Sequence, residues 1–214
     1  THRAADICQR LTDTYAEATC SLDFRSPFEL LIATILSAQC TDRRVNMVTG
    51  PLFRRWPTPA RLAAAPLKAV EETIRTTGFF RSKAKNIVGC SQGLVDQHGG
   101  EVPESLEALV KLPGVGRKTA NVVMGSAFGK ATGVVVDTHV GRISRRLGLT
   151  QQTDPVRAER DLVACLPPTH WIRFSHQLIE HGRSVCTARK PRCESCPLED
   201  LCPQKGVRKP AAGR

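Results

Sequence analysis

Aromatic residues make up only 5% of this 214-residue chain, with one tyrosine and two tryptophans, so its core must be built mostly of Leu, Val, Ile and Ala. No apolar run approaches the roughly 20 residues that a membrane-spanning helix needs. The best candidate, residues 28–38, is short and contains Glu29. Alternating apolar–polar strands are missing, as are internal repeats and low-complexity linkers. That excludes a sheet-built fold and predicts that any second domain is closely docked rather than tethered. Acidic residues are in deficit: 20 Asp and Glu against 31 Lys and Arg give a formal charge of +11. A basic chain of this size points to a polyanionic partner, and both nucleic acid and an anionic membrane match the sign. A disulfide framework is missing too. Of nine cysteines, five are scattered singly and four crowd near the C-terminus, which suggests a reducing compartment and a metal site.

What is present is helical periodicity. It predicts an all-α protein of about ten helices. The first runs over roughly residues 4–15. Ser26-Pro27-Phe28-Glu29 is a capping box with proline at the first helical position, and the helix after it is apolar nearly all round, hence buried and central. Thr41, Thr58-Pro59, Pro66, Ser82 and Pro103 read as further starts, and Gly78 and Gly99-Gly100 as stops. Val134-Val135-Val136 has no partner strand and reads as a buried extended connector. Asp154-Pro155 opens a later helix, and the last long one spans about residues 171–181, ending at Gly182. A basic tail from Pro203 to Arg214 is expected to be mobile.

The chain is organised around Leu112-Pro113-Gly114-Val115-Gly116-Arg117-Lys118-Thr119-Ala120. Two glycines around one apolar residue, between apolar periodic segments, read as helix, hairpin, helix. Amides from Gly114, Gly116 and the start of the second helix would point outward together as an anion site, with Arg117 and Lys118 beside it. Lys118 suits either of two roles, a phosphate ligand or a nucleophilic amine whose pKa the helix end and burial would lower.

Cys186, Cys193, Cys196 and Cys202 follow the pattern C-x6-C-x2-C-x5-C. Four thiolates this close can converge on one metal centre. Zinc sites more often pair two C-x-x-C units, so the spacing favours an iron–sulfur cluster, with zinc as the competing ligand. The first gap carries Arg189, Lys190 and Arg192, a basic projection pinned at both ends and suited to phosphate contact. Asp137, at the end of the valine connector, is a helix N-cap that can also serve as a fixed carboxylate at the mouth of a cleft. His139 and Gln39 carry no chemical signal of their own.

Taken together, the hairpin stretch, Val136-Asp137-Thr138-His139, the cysteine pattern, Ser26–Leu31, Leu36-Ser37-Ala38-Gln39 and Ser82–Ile87 resemble endonuclease III. This is a family of helix-hairpin-helix DNA glycosylases, and the resemblance covers about residues 22–202. It implies a six-helix barrel domain over 23–130 with the hairpin, a cluster domain made of 1–22 and 131–202, a DNA cleft between the two, and a basic tail over 203–214. It implies a [4Fe–4S] cluster on Cys186, Cys193, Cys196 and Cys202. It also implies catalysis by Lys118 and Asp137, and DNA contacts from Gln39, Phe79, Gly114, Gly116, Arg117, His139, Arg189, Lys190 and Arg192. The implied activity is bifunctional. A monomer, cytoplasmic and working at the bacterial nucleoid rather than a membrane, removes oxidised pyrimidines from double-stranded DNA. It then cuts 3′ to the abasic site by β-elimination through a lysine Schiff base. Two residues depart from the family pattern: Phe79 stands where an aliphatic wedge is usual, and Cys40 where alanine is common. Among alternatives, the adenine-specific mismatch glycosylases lack the hairpin lysine, and a non-catalytic hairpin protein stiffened by zinc would need neither Lys118 nor Asp137.

Overall fold

In the computed structural model, which describes residues 2–207, the stripe Ala4, Ile7, Cys8 and Leu11 forms the buried face of α1 (His2–Thr14). Ser26 starts α2 (Pro27–Leu36): its Oγ accepts the Glu29 amide at 3.2 Å. The Glu29 carboxylate reaches back to the amide of Arg25 at 2.7 Å, so this capping box is shifted by one residue. Thr41 caps α3 (Asp42–Arg55) and Thr58 caps α4 (Pro59–Ala63). Pro66 precedes α5 (Leu67–Thr73), which a 3-10 turn, Arg75–Thr77, extends. Next come α6 (Phe80–His98), closed by left-handed Gly99, α7 (Leu106–Leu109) and α8 (Arg117–Phe128). The chain ends with α9 (Thr138–Arg146), α10 (Pro155–Cys165), capped by Asp154, and α11 (Trp171–Ser184). The described residues contain no strand, as an all-α chain should, and no helix is long and apolar enough to cross a membrane. Residues 134–136 are the extended connector, with Val134 and Val136 buried.

Four boundaries differ from the sequence reading. α6 begins at Phe80 rather than Ser82, because Phe79 takes a left-handed conformation (φ 47°) and turns the chain. No helix opens at Pro103; Ser105 caps the short α7 by accepting the Ala108 amide at 3.3 Å. α11 runs past Gly182 to Ser184. That glycine is there for close approach: a Cβ would collide with His139 Nδ1 and lie 3.0 Å from Arg142 Nη2 and from Ile143 Cδ1. The tail is held as far as Val207, with the Lys205 amide on the Arg146 carbonyl at 3.1 Å; residues 208–214 lie outside the described residues.

The chain divides into two compact units, residues 20–132 and residues 1–19 with 133 onward. In the first, α2 packs against α3, α6 and α8. Eight of its ten residues are buried, which is why its sequence is apolar on every side. Each large side chain buried this way contributes about 1.5–3 kcal/mol. In the second, α11 packs on α1 and α9, and Phe174, Leu178, Ile7 and Leu11 are fully buried. Arg3 Nη1 meets the carbonyls of Leu147 at 2.8 Å and Leu201 at 3.0 Å. Arg10 Nη1 meets the Pro197 carbonyl at 2.8 Å. These bonds tie α1 to the cysteine-bearing segment.

Candidate functional site

The hairpin between α7 and α8 is held by its apolar residues and seated on α6. Val115 is buried and its amide bonds to the Leu112 carbonyl at 3.1 Å. Gly114 has φ +76°, and a Cβ there would sit 2.8 Å from Asn86 Cβ, so both conformation and space demand glycine. Leu112 and Pro113 lie over Gly93 and Gly89 of α6, where a Cβ would stand 2.8 Å from Leu112 Cδ2 and 3.4 Å from Pro113 Cγ respectively. Neither α6 glycine stands out in the sequence as functional; the four-residue spacing of the pair within one helix is the signal that could have found them. Gly116 is different. It caps α8 with φ −89° and open space around it, so neither strain nor crowding requires glycine. Having no side chain, it places no acceptor of its own over the first-turn amides of α8, which suits that helix start to an incoming anion. Arg117 and Lys118 are exposed in that same turn. Two cations at the positive end of a helix add to the positive potential there and favour an anion.

Gln39 and Phe79 are exposed non-glycine residues with left-handed backbone, at φ 52° and 47°. Such conformations persist only where the surroundings impose them, and they mark functional sites. Phe79 leaves 69% of its surface in solvent, a large apolar ring without cover. Cys40, next to Gln39, packs partly against the core. Beneath the Phe79 turn lies Lys83, which sequence reasoning passed over. It is buried, its Nζ donates to the Thr77 carbonyl at 2.8 Å, and burial pushes its pKa down.

In the other unit, Asp137 is the N-cap of α9, and its Oδ1 accepts the Val140 amide at 2.8 Å. The carboxylate is thereby fixed, with its second oxygen outside that bond. His139 is half-buried, and burial holds its imidazole below the usual pKa. Arg142 Nη2 donates to His139 Nδ1 at 3.2 Å and to the Cys186 carbonyl at 3.0 Å. One turn on, Arg146 Nη1 meets Cys186 Sγ at 3.2 Å and the Thr187 carbonyl at 2.8 Å. α9 thus carries Asp137 at one end and grips the cysteine segment at the other.

Cys186, Cys193, Cys196 and Cys202 line one concavity of about 350 Å³, together with His181, Arg146 and Leu198. None is in a disulfide. Burial first, and the neighbouring thiols after it, push Cys193 and Cys202 up and raise Cys196 to about 11. Four thiolates there therefore require a cationic centre. N–H donors already face the sulfurs: the Leu198 amide meets Cys196 Sγ and the Gln204 amide meets Cys202 Sγ, each at 3.4 Å. Among the described residues no three His, Cys, Asp or Glu side chains converge as the ligands of one ion do. A tetrahedral zinc site needs its thiolates about 2.3 Å from a single point; four thiolates with backbone amides donating to two of them suit an iron–sulfur cluster, whose sulfur ligands take such bonds. The five other cysteines are not gathered this way. Burial pushes Cys8 and Cys90 up to about 12, and they act as small core hydrophobes.

Between Cys186 and Cys193, Arg189 and Lys190 are exposed. Arg192 is not equivalent to them: its Nη2 donates to the Ser184 carbonyl and its amide to the Val185 carbonyl at 3.0 Å. It serves the base of the loop as well as its surface.

The chain is similar to known proteins along nearly all its length. Residues 32–168 match the HhH-GPD superfamily base excision DNA repair protein, and residues 186–202 match the iron-sulfur binding domain of endonuclease III. Endonuclease III of Synechocystis sp. is 56% identical over 201 residues, 94% of this chain and 92% of the relative. Endonuclease III of Escherichia coli (strain K12) is 46% identical over 200 residues, 94% of each. A solved structure described as a trapped endonuclease III–DNA covalent intermediate superposes with a TM-score of 0.86 at 45% identity, covering 92% of both chains. A thermostable thymine-DNA glycosylase, 22% identical over 95% of this chain and 96% of its own, shares the fold with a TM-score of 0.83.

Proposed function

This chain belongs to the endonuclease III family of base-excision repair enzymes, DNA glycosylases and abasic-site lyases with a [4Fe–4S] cluster, and from that premise we propose how its residues divide the work. The substrate is duplex DNA carrying an oxidised pyrimidine or an abasic site. The damaged nucleotide is turned out of the stack, with Phe79 and Gln39 entering the space it leaves. The amides of Gly114, Gly116 and Arg117 hold a backbone phosphate, and His139, Arg189, Lys190 and Arg192 add contacts.

Lys118 is the nucleophile. Its amine attacks the sugar C1′ as the glycosidic C–N bond breaks and the base departs with the electron pair, and one proton passes from the new ammonium to the base. The nitrogen lone pair then forms C1′=N as the C1′–O4′ bond breaks, giving a protonated Schiff base, and the ring oxygen takes a proton from water. Loss of a C2′ proton breaks the C3′–O bond, cutting the strand on the 3′ side, and water releases the enzyme. The second oxygen of the Asp137 carboxylate stabilises positive charge on the sugar and assists proton transfer. The cluster, with Cys186, Cys193, Cys196 and Cys202 as its ligands, braces the loop 187–192 when bound.

The observation that carries this reading is the α8 start: its N-cap is a glycine, which offers no side-chain acceptor of its own, and an exposed lysine stands on the helix's second residue. A relative with 45% identity has been trapped as a covalent intermediate with DNA, which supports a nucleophile in this family. The test is a panel of duplexes with one defined lesion each. A thymine glycol duplex should lose its base and be cut to the β-elimination product, and an abasic duplex should be cut alone. Intact abasic strands after incubation would refute the lyase.

Asp137→Asn separates cap from catalysis. Asn is as good an N-cap as Asp, so the unfolding midpoint should hold. Base release in single turnover should fall by about 100-fold. Equal losses of stability and rate would mean that Asp137 acts only as a cap.

A further inference from the structure

We propose that Lys83 is a positioning residue: its buried ammonium locks the turn that presents Phe79, and so sets how far that ring reaches into a duplex. The proposal rests on Phe79 acting as the wedge, and the experiment below keeps the two ideas apart.

The Phe79 turn lacks the usual means of support. Its ring is 69% exposed and so is not held by packing. Two successive residues have positive φ, Gly78 at φ 70° and ψ 151°, then Phe79 at φ 47° and ψ 30°. Phe is poorly suited to the left-handed region, and such a conformation relaxes unless something imposes it. What imposes it comes from below. Thr77 is buried, and its Oγ1 bonds to the Ile74 carbonyl at 2.8 Å. The Lys83 amide bonds to the Phe79 carbonyl at 3.0 Å, and the Lys83 Nζ bonds to the Thr77 carbonyl at 2.8 Å. One residue therefore closes the turn on both sides of Gly78 and Phe79, once through its backbone and once through its side chain.

The cost of this arrangement argues for a purpose. Lysine stems normally lie along a surface with the ammonium in water, and Lys83 starts in the first turn of α6, where reaching solvent would be easy. Instead it is 5% exposed. Burial depresses its pKa, and Cys40, the neighbour of Gln39, is close enough to act on its charge. The ammonium itself is bonded to the strained segment 77–79, at the Thr77 carbonyl. A buried amine committed to a backbone carbonyl is also unavailable to a sugar, which makes Lys83 a poor rival to Lys118 as nucleophile.

The experiment uses the full protein, loaded with its cluster, and a duplex carrying a tetrahydrofuran abasic analogue with 2-aminopurine in the opposite strand. Binding of the unsubstituted protein should raise the 2-aminopurine fluorescence as the opposing base unstacks. Phe79→Ala should remove that rise; if it does not, the wedge reading itself fails. Lys83→Met keeps the stem and removes the donor. It should lose most of the rise while still binding the duplex, and amides 78–82 should exchange hydrogen about tenfold faster than in the parent. Lys83→Gln, which keeps a polar tip should the apolar one prevent folding, should lose the rise in the same way. In a Phe79→Ala background Lys83→Met should add nothing further. On a paired lesion Lys83→Met should turn over about tenfold more slowly or worse, while a bulged, already unstacked lesion should stay within about twofold of the parent. An undiminished rise in Lys83→Met, or equal rate losses on paired and bulged lesions, would overturn the positioning role and leave the Phe79 wedge standing.

Discussion

Lys118→Gln should abolish borohydride trapping on an abasic duplex and lower strand cutting by about three orders of magnitude or more, with duplex affinity within about tenfold of the parent. The trapping arm is decisive because only reduction of an imine leaves protein and DNA joined by a stable C–N bond, and only an amine can supply that imine. Glutamine keeps the length and polarity of the side chain but cannot form that bond. Lys118 is exposed on the second residue of α8, so replacing it removes no core packing, and taking a cation from the positive end of the helix slightly favours the fold. A lost activity could not then be blamed on lost structure, and an unchanged unfolding midpoint should accompany it. Affinity should fall only modestly, because the amides of the hairpin and Arg117 remain. Persistent trapping in Lys118→Gln would move the nucleophile to another amine.

Gly182→Ala should lower stability by about 1–3 kcal/mol, the usual cost of overpacking, and the unfolding midpoint by several degrees. A Cβ at this position has three side chains against it at once: His139, Arg142 and Ile143. Each is movable alone, but moving all three disturbs the seat of α11 on α9. Arg142 would also leave the carbonyls of Gly182 and Cys186, which its Nη2 meets at 3.4 and 3.0 Å. Base release should slow along with the loss of stability, since Asp137 starts the displaced helix. Gly50→Ala is the control. It lies inside α3 with Arg54 Nη1, at 3.6 Å, the nearest atom from beyond its chain neighbours; Pro51 after it disfavours a helical residue with a Cβ and offsets the gain in helix propensity, so stability there should move by less than about 1 kcal/mol. Equal behaviour of the two variants would show that the α9–α11 approach tolerates a methyl group.

These two glycines also mark what could and could not be read from the chain. Capping was legible at Ser26, Thr41, Thr58 and Asp154, which all start helices through bonds to residues three positions on; the equally local cap Ser105 was passed over for Pro103. The all-helical class, the buried α2 and the cysteine cluster were legible because periodicity and spacing are written in consecutive residues. Gly182 was misread as a helix stop because what requires it is His139, 43 positions away. Phe79 was not legible as a left-handed residue, because nothing in its own side chain favours that conformation; its cause is Lys83 and the Thr77 carbonyl. Gly89 and Gly93 were invisible until Leu112 and Pro113 lay on them. His139 and Gln39 carried too little chemistry alone to be singled out, and only resemblance to a family drew attention to them; Asp137 was legible as a cap, and the resemblance added the catalytic role.

The bonds that tie α1 to the cysteine segment set an order of assembly on the ribosome. Residues 20–132 are continuous, so that unit can fold as soon as it has been made. α1 is made earlier but has nothing to pack on. Arg3 reaches a carbonyl 198 positions ahead, at Leu201, and Arg10 one 187 positions ahead, at Pro197. Although made before residues 20–132, α1 is thus among the last helices to find its place. It settles only when the segment carrying the last cysteines has been made, so the newborn chain carries this amphipathic helix unburied while the residues up to that segment are synthesised.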